Sequence, residues 1–133
     1  MRVLAITMLA ALLVAPTAGA VWSRGGLGGG GARAKTLGTG AVPTGAASGK
    51  KVTVAWTAST FVEGGNAPGY VVRRYNAATG VLQSIGAACS GTLTGLSCTE
   101  SNVPSGTWQY TVTPAAAVWR GREGGKGAAV TMA

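Results

Sequence analysis

The chain has 133 residues, 23 of them Gly, and carries 11 Lys plus Arg against three acidic residues, for a net charge of +8. A chain of this length holds no more than one domain. There is no His, and the acidic residues are Glu63, Glu100 and Glu123, so a Ser, His and Asp triad and a Cys and His pair are excluded. A metal site could use only Glu and Cys, and no cofactor is expected.

Residues 1–20, MRVLAITMLAALLVAPTAGA, read as a secretory signal peptide: Arg2 gives a basic start, Val3 to Ala15 an apolar run, and Ala18 and Ala20 the small residues before a cleavage site. The run is shorter than the ~20 residues needed to span a bilayer, and no later segment qualifies as transmembrane. Residues 21–39 form a Gly-rich flexible arm, whose Trp22 is read as folding back or playing no role rather than as an anchor. Residues 40–133 form the domain. The expected localisation is secreted, or noncovalently associated with the cell envelope.

Within the domain, Ala41 to Thr44 is expected as a first edge strand, with Pro43 tolerated there. A strand over about 51–58 places Val52, Val54 and Trp56 on one face. A second over about 69–76 puts Tyr70 and Val72 on one face, with Arg74 returning to it, and Val71, Arg73 and Tyr75 on the other. Asn76 to Gly80 turns the chain into a strand at Val81 to Ile85, completing a hairpin. Thr92 to Thr99 is a weaker strand with Leu96 and Cys98 on one face. TWQYTVT, residues 107–113, alternates Trp108, Tyr110 and Val112 with polar neighbours and is expected to stop at Pro114. A polar loop from Trp119 to Lys126 precedes a last strand with Ala128, Val130 and Met132. Six or seven such strands without a helical period predict an all-β antiparallel sandwich of about seven strands. The predicted core is Val52, Val54, Trp56, Tyr70, Val72, Trp108, Tyr110 and Val112. Cys89 and Cys98, the only cysteines, are expected to form a disulfide in an oxidising compartment.

The residues from about 39 to 133 resemble a fibronectin type III domain of the immunoglobulin-like class. The resemblance rests on VTVAWTAS with Trp56, on GYVVRRYN with Tyr70, and on VPSGTWQYTVTP, in which Val103, Pro104, Ser105 and Gly106 precede Tyr110. WRGREG is similar to the loop before the family's final strand. The chain also resembles small secreted proteins of high-GC Gram-positive bacteria, although ordinary type III domains usually lack a disulfide. The resemblance implies a fibronectin type III-like sandwich and contact with a ligand or protein.

The expected function is that of a secreted, non-catalytic binding module contacting an acidic cell-envelope polymer or a partner protein. Its candidate binding residues are Arg73, Arg74, Trp119, Arg120, Arg122 and Lys126. Since neighbouring strand residues face opposite ways, one of Arg73 and Arg74 must turn inward and snorkel or pair, with Glu63 or Glu100 as the available carboxylates. The alternative is a structural protein that self-assembles or pairs by its sheet edges. A remote alternative is an accessory or enzyme of cell-wall glycan hydrolysis, for which Glu63 and Glu100 in neighbouring loops are the sole carboxylate pair. No nucleic-acid partner is expected, because aromatic and basic residues are not interleaved on one strand face.

Overall fold

The computed structural model describes residues 34–133. The signal segment 1–20, Trp22 and arm residues 21–33 lie outside the described residues. Two antiparallel sheets pack face to face. One contains β1 (Thr44–Ser48), β2 (Lys51–Ala55) and β5 (Ser97–Glu100) in the order β1-β2-β5. The other contains β3 (Gly69–Asn76), β4 (Leu82–Gln83), β6 (Gly106–Ala116), β7 (Trp119–Arg120) and β8 (Val130–Met132), in the order β4-β3-β6, with β7 and β8 both paired to β6.

Period-two alternation sets which side chains meet. Val52, Val54 and Trp56 face Tyr70, Val72, Trp108, Tyr110 and Val112, and all eight are buried. Val130 and Met132 of β8 join them. Large side chains buried in this way stabilise the sandwich by about 1.5–3 kcal/mol each before entropy is counted. Cys89, in a single 3₁₀ turn at Ala87–Cys89, is bonded to Cys98 of β5 with the Cα atoms 5.4 Å apart.

Several strand boundaries differ from those expected. The first edge strand is Thr44–Ser48, starting where the sequence reading ended it, because β1 takes its register from a tight turn at Gly49 and Lys50 onto β2. The strand expected at 92–99 is only Ser97–Glu100: Leu93 instead exchanges two backbone hydrogen bonds with Tyr70, on the opposite sheet, and Leu96 is exposed. Val81 to Ile85 contracts to Leu82–Gln83. Pro114 does not stop β6, which runs on to Ala116. Its carbonyl accepts from Gly121 on the side away from β3, so its missing N–H falls outside the β3–β6 ladder, while Tyr70 opposite bonds Leu93.

Between β7 and β8 the chain follows β6 with a three-residue rather than a two-residue period. Gly121, Gly124 and Gly127 donate in turn to the carbonyls of Pro114, Val112 and Tyr110, at 2.8–2.9 Å. A Cβ at Gly121, Gly124 or Gly127 would run into the backbone carbonyls of Gly38, of Gly40 and Ala41, or of Pro43. Glycine every third residue is therefore a steric requirement of a strip wedged between β6 and the segment 38–43, the same logic that fills the axis of a collagen helix. Residues 36–40, placed in or beside the arm from sequence, lie against this strip: Thr39 forms a parallel bridge with Arg122, and Leu37 pairs with Phe61.

Candidate functional site

The six candidate residues separate into four places. Arg74 is in the core, which removes it as a contact residue. It lies in phase with Tyr70 and Val72 on β3, only 7% exposed, and its Nη1 pairs with Glu100 Oε1 across the sandwich. Glu100, expected in a solvent-facing loop, is likewise corrected: it is 2% exposed on β5. Its carboxylate also accepts from Gly86 N–H at 2.8 Å and Tyr110 O–H at 2.9 Å. Arg74 Nη2 donates to Ser84 C=O at 2.6 Å, and the guanidinium lies 4.7 Å from the Trp108 ring centroid. Burial, and then the bond to Glu100, push the Tyr110 hydroxyl well above its ordinary range. Four elements meet on this pair, which locks the two sheets in register. Glu63 is far from this arrangement in role: it is exposed, accepts from Thr36 N–H at 2.9 Å, and is held below the usual carboxylate range chiefly by that bond.

Arg73 and Lys126 lie on the outer face of the larger sheet around Glu123. Arg73 Nη1 is 3.3 Å from Glu123 Oε2, while Oε1 accepts from Tyr75 O–H at 2.6 Å and Thr111 O–H at 2.5 Å. Lys126 Nζ stands 4.8 Å from the Tyr75 ring centroid. Burial pushes the Glu123 carboxyl up, but the hydroxyls of Thr111 and Tyr75 and the Arg73 charge outweigh it, leaving the group below its ordinary value of 4.5. Burial, then Glu123, raise the Tyr75 hydroxyl. These charges are largely satisfied by one another.

Trp119 and Arg120 occupy the third place, where β6 turns into β7 through Ala117 and Val118. Ala117 has φ +50°, a left-handed conformation that glycine adopts without penalty and alanine does not. The turn holds out two large apolar side chains, Val118 at 86% and Trp119 at 74% exposure. Arg120 Nη1 donates to the carbonyls of Ala117 (2.8 Å) and Trp119 (3.1 Å), bracing the turn. Beside it opens a groove of about 640 Å³ with Leu37, Phe61, Ala116 and Trp119 in its walls and Lys35 and Arg120 at its edge. Lys35 Nζ is 5.3 Å from the Phe61 ring centroid. An exposed aromatic, an apolar trough and two cations together can hold an apolar group that carries negative charge. Arg122 is exposed further along the strip, where its backbone pairs with the segment at Thr39.

Sequence reasoning found Trp119 and Arg120 but missed Lys35, Leu37 and Phe61. The first two fell in the assumed arm and the third in a loop. The signal that could have placed them is the glycine spacing at 121, 124 and 127, which demands a backbone neighbour for the strip. Among the described residues no cluster of three metal-ligating side chains occurs, and no helix is long and apolar enough to cross a membrane.

No known family model matches the sequence, and no curated protein does. Among solved structures, one described as titin kinase and its flanking domains matches with a TM-score of 0.60 over 74% of this chain, at 14% identity. This chain spans 18% of the length of that one. The likeness is one of fold: the protein is an antiparallel all-β sandwich of the immunoglobulin-like, fibronectin type III-like class.

Proposed function

We propose that the protein is an exported, non-catalytic binding module that holds an acidic partner in the groove between the β6–β7 hairpin and residues 35–37. The observation that carries this reading is Trp119, 74% exposed on a turn whose Ala117 has a positive φ, beside an apolar trough edged by Lys35 and Arg120. A strained turn that presents bulky apolar side chains to water is a feature maintained against its own stability, and binding sites are where such strain collects. The net charge of +8 draws anionic partners in the same direction. Export is supported by the signal-like residues 1–20, by the resemblance to small secreted bacterial proteins, and by the disulfide between Cys89 and Cys98. The partner class in this reading is an acidic envelope polymer or a protein, held noncovalently.

Sedimentation of the purified, disulfide-intact protein onto washed envelopes of the source cells, across a salt series, tests the reading. Saturable binding that falls at least tenfold in Trp119→Ser and in Lys35→Glu, with the melting temperature of both unchanged, is the expected result. Binding that survives both substitutions would remove the groove as the contact site.

A further inference from the structure

Hydrogen bonds along the chain after the β6–β7 hairpin alternate between two neighbours. Gly121 N–H donates to Pro114 C=O on β6 at 2.8 Å, and Arg122 N–H donates the other way, to Gly38 C=O at 3.2 Å. Arg120, two residues before Arg122, therefore directs its own N–H and C=O away from β6 and toward the groove. The segment that could have met them turns off, since the Thr36 carbonyl accepts from Val62 N–H at 2.9 Å. Among the described residues, no backbone group bonds to the N–H or C=O of Arg120 on that side. The groove thus has, beside its apolar wall, one donor and acceptor set left unpaired among the described residues.

On this basis we propose that the occupant of the groove is an extended peptide segment of another protein, added as a short strand along β7. It would carry an acidic and an apolar side chain two residues apart, and the proposal rests on the groove being the contact site. In an extended segment those two side chains share a face. The apolar one then lies on Trp119, Phe61 and Leu37, and the carboxylate meets Lys35. Backbone bonds to Arg120 supply the affinity common to strand addition, and the side-chain pair supplies the selectivity.

Charge disfavours the protein itself as the source of the acidic group. Residues 1–33 contain neither Asp nor Glu. Of the three carboxylates, Glu100 is buried against Arg74, Glu123 is engaged by Arg73, Tyr75 and Thr111, and Glu63 accepts from Thr36 and stands near enough to Lys35 to feel its charge without forming an ion pair with it. A second copy would bring the same net positive charge to a cationic rim. The complementary acid is therefore assigned to a different chain.

The test uses the full, disulfide-intact protein and three probes: the peptide acetyl-Thr-Glu-Thr-Phe-Thr-amide, a set of the same peptide with each backbone amide N-methylated in turn, and polygalacturonate as an acidic glycan. Expected is saturable peptide binding, weakened at least tenfold by Glu to Gln in the peptide and by Lys35→Glu in the protein. N-methylation at one or two alternate positions should weaken it tenfold or more and leave the intervening positions nearly unaffected. Peptide binding that is insensitive to every N-methylation overturns strand addition. Binding of polygalacturonate but not peptide, lost in Trp119→Ser, overturns the peptide assignment while the groove stands. If no probe binds and Trp119→Ser leaves envelope sedimentation unchanged, both the assignment and the groove fall.

Discussion

Replacing Glu100 by Gln keeps the shape of the side chain and removes only its charge, which leaves the Arg74 guanidinium buried without its counter-ion. Breaking a buried pair from one side destabilises by about 3–5 kcal/mol. Arg74→Met should fall in the same range, with a further contribution of about 0.5–2 kcal/mol from the lost contact on the Trp108 face. The double variant Arg74→Met with Glu100→Leu leaves no buried charge; besides the Trp108 contact and the donor to Ser84 C=O that Arg74→Met removes in either background, its penalty is the loss of acceptors for Tyr110 O–H and Gly86 N–H, about 1–3 kcal/mol for each donor left unpaired. The double variant should therefore be more stable than the sum of the singles predicts by at least about 2 kcal/mol, a coupling typical of residues in one network. Urea unfolding with the disulfide intact measures all three, and for a domain of about this size a loss of 3 kcal/mol lowers the melting temperature by at least about 12 °C. Single variants within about 1 kcal/mol of the parent, as for an exposed pair, would refute the reasoning, as would strict additivity.

Three other outcomes follow from local geometry. Gly124→Ala forces a Cβ against the carbonyls of Gly40 and Ala41, which are backbone and cannot swing aside, so a loss of about 1–3 kcal/mol is expected in urea unfolding. Gly125→Ala, which meets only a Val42 methyl at 3.2 Å, should lose clearly less. Ala117→Gly relieves the left-handed alanine and should raise stability by about 0.5–1 kcal/mol, read as a higher urea midpoint at unchanged slope. The Glu123 carboxyl is depressed in the folded state, so its contribution is complete above its ordinary value of 4.5 and is lost as pH falls through the lower folded value. Glu123→Gln should accordingly flatten the fall in stability between about pH 5 and pH 3; an unchanged acid limb would mean that Arg73, Tyr75 and Thr111 do not hold the ionised form. Tyr75, raised when folded, contributes in the opposite sense: its share is complete below its ordinary value of 10.0 and is lost as pH rises through the folded value.

What the sequence determined by itself is the alternation. Val52, Val54 and Trp56, Tyr70 and Val72, and Trp108, Tyr110 and Val112 must each share a face once their segments are extended, and burying those faces requires two sheets. With two cysteines there is one intrachain disulfide to form. Alternation also places Arg74 on the inner face and Arg73 on the outer, but which carboxylate answers Arg74 depends on which strand lies across the sandwich, and that is a property of the assembled sheets. The same holds for strand ends: Leu93 pairs with Tyr70 because the Tyr70 N–H and C=O point away from β6, and only the assembled sheets bring Leu93 beside them. The groove was least legible, since its walls come from residues 35–37, from Phe61 and from the β6–β7 hairpin, far apart in sequence. They meet only because Gly121, Gly124 and Gly127 allow the segment 38–43 to lie in backbone contact with the strip, a close approach that no local propensity encodes.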